Sequence, residues 1–317
     1  MDRRLAVDIG GTKVALALAG EGGILAKVRY DAEAARGPDF MIARAAAEAR
    51  KLLAAHPGTL AAIGISCGGP LDRKAGVVRS PPNLPGWIEV PVAERLSQAL
   101  AAPAALENDA KLAALGEYRF GAGRPYRSFV YLTVSTGIGG GIILDGELQY
   151  GLGDAAGEAG HQTLEPDGPP CGCGNRGCLE ALASGTAIAR AAREAATTLP
   201  ANATALLKLA GGDAARLSAK MVAEAAAGGD PLARRLWDRA MTYLGIGIGN
   251  LITVLSPEAI VIGGGLSAAG PALFDRVRSV VEERVRLAPA AVVALLPAEL
   301  GTESSLHGAL ALARTLA

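Results

Sequence analysis

LAVDIGGTKVALALAGEGGILAKVRY occupies residues 5–30. Leu5 to Gly10 is an apolar run carrying one acid, Asp8. Gly10-Gly11-Thr12 is a tight turn, Lys13 to Ala19 is apolar again, Glu21-Gly22-Gly23 turns, and Ile24 to Tyr30 alternates. Apolar runs separated by glycine-rich turns predict three strands joined by two hairpins. The pattern returns as FVYLTVSTGIGGGIILDGELQY, residues 129–150. Here Phe129 to Val134 and Ile138 to Leu144 are the apolar runs. Ser135-Thr136-Gly137 and Asp145-Gly146 are the turns, and Glu147 to Tyr150 begins a third strand. The two copies lie about 120 residues apart, an internal repeat. Each has a later partner. Ala61 to Ser66 runs into Cys67-Gly68-Gly69, and Ala259 to Ile262 runs into Gly263-Gly264-Gly265. We therefore expect an α/β protein with two structurally related domains.

The connecting segments read mainly as helices. Pro38 to His56 opens on a proline near the first helical position, and Pro57-Gly58 ends it. Shorter helices are expected over Val92–Leu100 and Lys111–Phe120. Most of Gly185–Ser256 reads as helix, with Asp230-Pro231 as an N-cap and first position. A helix from about Pro271 to Leu287, a strand near Val292–Leu296 and a helix from about Glu303 complete the chain. Between Val77 and Val90, Ser80-Pro81-Pro82-Asn83-Leu84-Pro85-Gly86-Trp87 predicts an ordered loop. Asp109 follows a strand at Ala104–Leu106 and precedes a helix, a common address for chemistry in α/β folds. The expected division is residues 1–120, completed by a returning helix at about 303–317, and residues 121–302.

Half of the 317 residues are apolar, enough for a large core, and alanine is abundant while aromatics are few. Lys plus Arg and Asp plus Glu both number 31, and no basic run occurs, so a nucleic-acid surface is not indicated. The uncharged stretch Tyr243–Pro257 is too short and too broken by glycine to span a membrane. No apolar targeting region precedes the first strand, which leads to the expectation of a cytoplasmic protein with reduced cysteines.

Three of the four cysteines lie in GEAGHQTLEPDGPPCGCGNRGCLEALAS, residues 157–184. They are Cys171, Cys173 and Cys178, with His161 upstream. Thiolate and imidazole are preferred zinc ligands, and three cysteines with one histidine make a closed tetrahedral set. Gly172, Gly174 and Gly177 let a short backbone fold around an ion. We expect one zinc on these four side chains. Glu158 precedes His161 by three residues, so a turn would place both on one side. Glu180 follows Cys178 by two. A site that only holds the fold together needs no acceptors on both flanks.

Asp8-Ile9-Gly10-Gly11-Thr12-Lys13 places an acid before a glycine turn and a hydroxyl within it. Backbone N–H groups of such turns point at phosphate oxygens. Thr136-Gly137-Ile138-Gly139-Gly140-Gly141 is a second such turn at the matching place in the repeat. Two of them, one per domain, predict a clamp for a triphosphate. Gly263-Gly264-Gly265 would let a base or ribose lie against bare backbone. There is no GxxxxGK[ST] loop and no GxGxxG helix turn, so this is another kind of phosphate site.

DIGGTK, ENDA, STGIGGG, GEAGH and CGCGNRGCLE, in this order, resemble the ROK family of sugar kinases and repressors over nearly the whole chain. The spacing from Glu158 to Glu180 resembles the signature of that family's glucokinases. The resemblance implies an actin/hexokinase-like fold of two duplicated ribonuclease H-like β-sheet domains. Only seven residues precede Asp8, so a kinase is expected in preference to a repressor carrying a helix-turn-helix.

The resemblance further implies Asp109 as the general base. Asp8, Gly10, Gly11, Thr12, Lys13, Thr136, Gly137, Gly264 and Gly265 would serve ATP and magnesium. Gly69, Asn83, Asn108, Asp109, Glu158, His161 and Glu180 would hold the sugar. Glucose is the expected sugar. N-acetylmannosamine, N-acetylglucosamine, mannose, fructose and allose are alternatives, as is a sugar-sensing protein without turnover. Polyphosphate is an alternative donor, and a homodimer or tetramer is implied. Cys67 has no implied role and reads as a small buried residue.

Overall fold

The computed structural model describes residues 1–198, 204–287 and 292–316. The chain divides into two compact units, 1–124 with 299–317, and 125–298. In the first, β1 (Asp2–Ile9), β2 (Lys13–Gly20) and β3 (Gly23–Asp31) are the three strands of the opening pattern. Then come α1 (Gly37–Ala55), β4 (Thr59–Cys67), β5 (Leu71–Asp72), β6 (Val77–Val78), α2 (Val92–Leu100), β7 (Ala104–Asn108) and α3 (Asp109–Phe120). The sheet order is β3-β2-β1-β4-β7, antiparallel across the hairpins and parallel from β1 to β4 to β7.

Alternation along the strands sends large and small residues to opposite faces. Leu5, Val7 and Ile9 join Leu16, Leu18, Ile63 and Ile65 under Met41, Ala45 and Ala49 of α1. Ala6, Ala17 and Ala19 face the other way, against Leu112 of α3 and Leu306, Ala309 and Leu310. The loop expected over Val77–Val90 is ordered by its own anchors: Trp87 is fully buried and Leu84 nearly so. Its first two residues form β6, paired with β5.

The second unit repeats the plan. β8 (Phe129–Val134), β9 (Ile138–Leu144) and β10 (Glu147–Leu148) form the hairpins. Next come α4 (Leu179–Ala183), α5 (Gly185–Thr198), α6 (Thr204–Leu209), α7 (Ala219–Ala227), α8 (Pro231–Leu255), β11 (Ala259–Gly263), α9 (Pro271–Arg284) and β12 (Ala294–Pro297). The sheet order is β10-β9-β8-β11-β12, with the same pattern of antiparallel and parallel pairs. Two sheets of identical topology are what the duplicated sequence pattern leads one to expect. Asp230 caps α8 through the Ala233 N–H at 2.7 Å, with Pro231 following. Trp237, Met241, Leu244, Ile248 and Ile252 form its buried stripe. The helix expected to reach Leu287 ends at Arg284, and β10 is only two residues long. The part of the long helical stretch at 199–203 lies outside the described residues.

α10 (Ser304–Ala313) belongs to the first unit, against α3, β1 and β4. Glycine makes this approach possible. A Cβ on Gly64 would collide with the Ala309 carbonyl, and one on Gly308 with the Leu112 carbonyl. The sequence divides at 120 and 302, whereas the compact units divide at 124 and 298. Buried Glu117 accounts for the offset. Its carboxylate accepts hydrogen bonds from Ala122 N (2.8 Å), Glu299 N (3.1 Å), Leu300 N (3.0 Å) and Ser304 Oγ (2.7 Å). These bonds hold both connecting segments to the first unit.

Candidate active site

In the first unit, Asp8 stands one residue before the end of β1. The β1–β2 turn closes with Gly10 N donating to Lys13 O at 3.0 Å. Gly11 lies under the proline-rich loop, where a Cβ would collide with the Asn83 carbonyl. Backbone freedom therefore does not explain Gly11, which has no left-handed φ; a close backbone crossing does. Asp8, Gly10, Gly11, Thr12 and Lys13 line a cleft of about 430 Å³ with Arg29, Thr302 and Glu303. Loss of hydration pushes the Asp8 carboxyl above its ordinary value, against the opposing influence of Ser66, Ser305 and Arg29. Lys13 borders the cleft, but its ammonium is engaged with Asp31 at 2.7 Å, both side chains well exposed. Charge for a phosphate from Lys13 therefore requires that surface pair to open.

A second group forms where β4 and β7 end side by side, Cys67 opposite Asn108. Asn108 caps α3, its Oδ1 accepting from Ala110 N (3.0 Å) and Lys111 N (3.2 Å). That cap fixes the first turn and leaves Asp109 exposed at the helix head. Asp109 Oδ1 accepts from Ala110 N at 2.8 Å, and Oδ2 lies toward Gly68. Gly69 lies beside the Asn108 amide. Behind them, buried Glu107 receives the Asn108 N–H at 2.8 Å and has Arg73 Nε 4.0 Å away. Cys67 is fully buried, and its thiol is pushed up by burial and by the charges of Asp109 and Asp8. It is a packed, unreactive thiol.

In the second unit, the four expected metal ligands converge. One ligand atom from each of His161, Cys171, Cys173 and Cys178 lies within 4.8 Å of all the others. His161 Nδ1 is 3.6 Å from Cys171 Sγ, and Cys173 Sγ is 3.8 Å from Cys178 Sγ. A tetrahedral zinc with bonds of about 2.3 Å to sulfur and about 2.0 Å to nitrogen sets ligand atoms roughly 3.5–3.8 Å apart. These two separations fit that ion, and the four ligand atoms all lie within 4.8 Å of one another. Burial pushes Cys178 up to about 12, and burial raises Cys171 as well, while the Asn175 N–H lowers Cys173. A cation is what would let the two buried thiols ionise together.

A single 3-10 turn, Ala159–His161, follows Glu158 and places the acid and the imidazole on one side. His161 Nε2 is 3.9 Å from Glu158 Oε2. With Nδ1 turned to the sulfurs, Nε2 is the nitrogen left to carry a hydrogen outward. Glu180 is only partly available as an acceptor. Its Oε2 takes the Ile138 N–H at 2.8 Å, leaving Oε1 with the Cys171 thiol 4.0 Å away.

Thr136 and Gly265 border a larger pocket, about 690 Å³. Gly264 has φ +83°, and a Cβ there would meet the Val134 backbone. This glycine thus serves the packing of β11 on β8 as well as any ligand. Sequence reasoning missed most of the pocket wall: Thr186 and Arg193 of α5, Lys220 and Glu224 of α7, Trp237 of α8, and Leu266. Arg193 donates to Leu217 O at 3.0 Å, and Trp237 Nε1 to Ala272 O at 3.0 Å, so both are held. No spacing in the sequence marks these residues, because they come from three separate helices and the turn after β11.

Residues 4–316 match the ROK family. A glucokinase from Thermotoga maritima is 40% identical over 283 residues, 89% of this chain and 87% of the relative. An N-acetylmannosamine kinase from Escherichia fergusonii is 35% identical over 98% of both chains. Among solved structures, a ROK family glucokinase from Streptomyces griseus in complex with glucose and AMPPNP aligns with TM-score 0.82 and 34% identity. That alignment covers 99% of each chain. The fold is that of the actin/hexokinase-like kinases, and the chain belongs to the ROK family.

Proposed function

We propose that this protein is an ATP-dependent hexose kinase that converts glucose to glucose 6-phosphate. The observation that carries the reading is an exposed carboxylate, Asp109, fixed at a capped helix head in a chain 40% identical to a glucokinase. A sensor without turnover would use such a carboxylate only to hold the sugar, whereas a kinase also needs it to accept a proton. N-acetylmannosamine stands as the alternative sugar because a kinase for it is 35% identical.

Phosphoryl transfer needs positioning, charge neutralisation and a place for one proton. Asp109 accepts the proton of the sugar 6-hydroxyl as its oxygen bonds to the γ-phosphorus and the bond to the β-phosphate oxygen breaks. The products are glucose 6-phosphate, ADP and a proton. Asn108, Gly69, Asn83, Glu158, His161 and Oε1 of Glu180 serve the sugar. Carboxylates and amides suit sugar hydroxyls because they accept or donate in pairs. Asp8 faces the magnesium that accompanies ATP, with Gly10, Gly11, Thr12 and Lys13 around the phosphates. Thr136 and Gly137 hold phosphate oxygens, and adenosine lies in the 690 Å³ pocket against Gly265, with Gly264 next to it in the chain.

Zinc on His161, Cys171, Cys173 and Cys178 would supply a rigid anchor that turns the imidazole toward the sugar. We further propose that the two compact units are the two domains of the kinase, and that it acts in the cytoplasm as a homodimer or tetramer. Among the described residues no helix is long and apolar enough to cross a membrane.

A coupled ADP-release assay tests the reading on glucose, mannose, N-acetylmannosamine, N-acetylglucosamine, fructose and allose, with ATP and then polyphosphate as donor. Glucose with ATP should give the highest kcat/KM. A higher value for another sugar replaces glucose and leaves the kinase; no turnover of any sugar removes the kinase.

A further inference from the structure

The second phosphate turn, Ser135-Thr136-Gly137, is held from outside its own hairpin by one short stretch of chain. Ser135 O accepts from Gly185 N at 2.7 Å, and Thr136 O accepts from Thr186 N at 3.3 Å. The third bond is made by a side chain: Glu180 Oε2 accepts the Ile138 N–H at 2.8 Å. Glycines keep this contact close. A Cβ on Gly137 would collide with Glu180 Oε2, and one on Gly160 with the Ile138 carbonyl. Glu180 itself is fixed at the start of α4, directly after Cys178 and Leu179, and is half-buried.

A bond from a carboxylate to a backbone N–H is charge-assisted and stronger than a neutral one. Here it does two things. It ties up the Ile138 N–H, which therefore is not a phosphate donor. It also sets the angle at which the turn leaves β9, and with it the direction of the Thr136 and Gly137 N–H groups. We propose that Glu180 is a positioning residue for the nucleotide, acting through the Ile138 N–H, in addition to any contact with sugar. The inference rests on the reading of this turn as a phosphate site. It separates geometry from charge, because a carboxylate beside a triphosphate repels it while a hydrogen-bond acceptor alone does not.

The test compares wild type, Glu180→Ala and Glu180→Gln by calorimetric titration with Mg-AMPPNP, without and with saturating glucose. Zinc content and the thermal midpoint are measured alongside to show that each variant is folded. Without sugar, Glu180→Ala should bind about 10-fold more weakly or worse, the effect of losing one charge-assisted bond. Glu180→Gln retains a carbonyl acceptor and should stay within about threefold of wild type, or bind more tightly. Equal affinity of Glu180→Ala and wild type overturns the inference and leaves the kinase reading standing. A loss in Glu180→Gln as large as in Glu180→Ala also overturns it, since charge and not the bond would then matter. If the wild type binds no Mg-AMPPNP with or without glucose, the phosphate reading falls and this inference falls with it.

Discussion

The β1–β2 turn and the β8–β9 turn occupy the same place in two sheets of identical topology, yet they are built differently. Each spans three residues, Gly10-Gly11-Thr12 and Ser135-Thr136-Gly137. Counting back from the turn, Asp8 in the first corresponds to Thr133 in the second. The first turn thus carries its own negative charge and is covered by the Asn83 loop. The second carries hydroxyls and is held by Glu180, Gly185 and Thr186, all beyond the cysteine cluster. β7, the strand that runs into Asp109, has a counterpart in β12, which occupies the same sheet position and ends on Pro297 with no acid. Duplication supplied two frames. Chemistry then depends on what each frame acquired: an acid and a capped helix head in one, a metal-type loop in the other.

The comparison breaks most visibly at Asp109, the acid with no counterpart. Asp109→Asn keeps the shape and one oxygen but removes the proton acceptor. It should lower kcat by about 10²–10⁴-fold while the glucose dissociation constant moves far less. Steady-state kinetics set beside calorimetric sugar binding checks this, and a near-normal kcat would return Asp109 to a structural role.

Metal removal should affect only the second frame. Purified protein should contain about one zinc per chain, and a strong chelator should lower the thermal midpoint. Hydrogen exchange should then rise in residues 135–138 and 157–184 while residues 10–13 stay as protected as before. Equal loss of protection in both turns, or active protein free of zinc, would contradict a metal-built second frame.

A smaller effect is expected where α10 packs on the first sheet. Gly64→Ala drives a methyl group into the Ala309 carbonyl, and overpacking of this kind costs about 1–3 kcal/mol. The loss should appear in denaturant unfolding of the first unit and spare zinc content.

The smallest effect sharpens the contrast at Asp8. Its pKa is raised in the folded protein, so folding is favoured below the unfolded value of 3.8, and that advantage is lost as pH rises through the folded value. At pH 7 the ionised side chain is a cost. Asp8→Asn should therefore melt higher than wild type at pH 7, with the difference shrinking as the pH falls toward 3.8, even though turnover is lost. Lower stability of Asp8→Asn at pH 7 would show that Asp8 is held by its polar neighbours more than it is penalised by burial.

Most elements were legible because their signals are local. Apolar runs mark β1, β2, β8 and β9, alternation marks β3, Asp230-Pro231 marks the start of α8, and glycine-bearing segments mark the turns. Boundaries slipped where the signal is tertiary. The Val292–Leu296 expectation became β12 at Ala294–Pro297, where pairing with β11 decides the register. In the candidate site, the Cys/His group could be read because its four side chains share one chemical preference. The family resemblance implies a sugar role for Glu180, and nothing in the chain around it reveals that Ile138 N–H, 42 positions away, occupies one of its oxygens.

The sequence by itself determined the duplicated hairpins, the caps, the grouping of three cysteines with one histidine and the family. All of these follow from side-chain chemistry at short separation, where backbone periodicity does the aligning. Only the tertiary structure decided why Gly11 and Gly137 must lack side chains. It also assembled Thr186, Arg193, Lys220 and Trp237 around one pocket, and joined α10 to the first sheet. These depend on where distant segments cross. A crossing is set by the packing of whole elements, through small faces such as Ala6, Ala17 and Gly64, and no local pattern records which segment will arrive there.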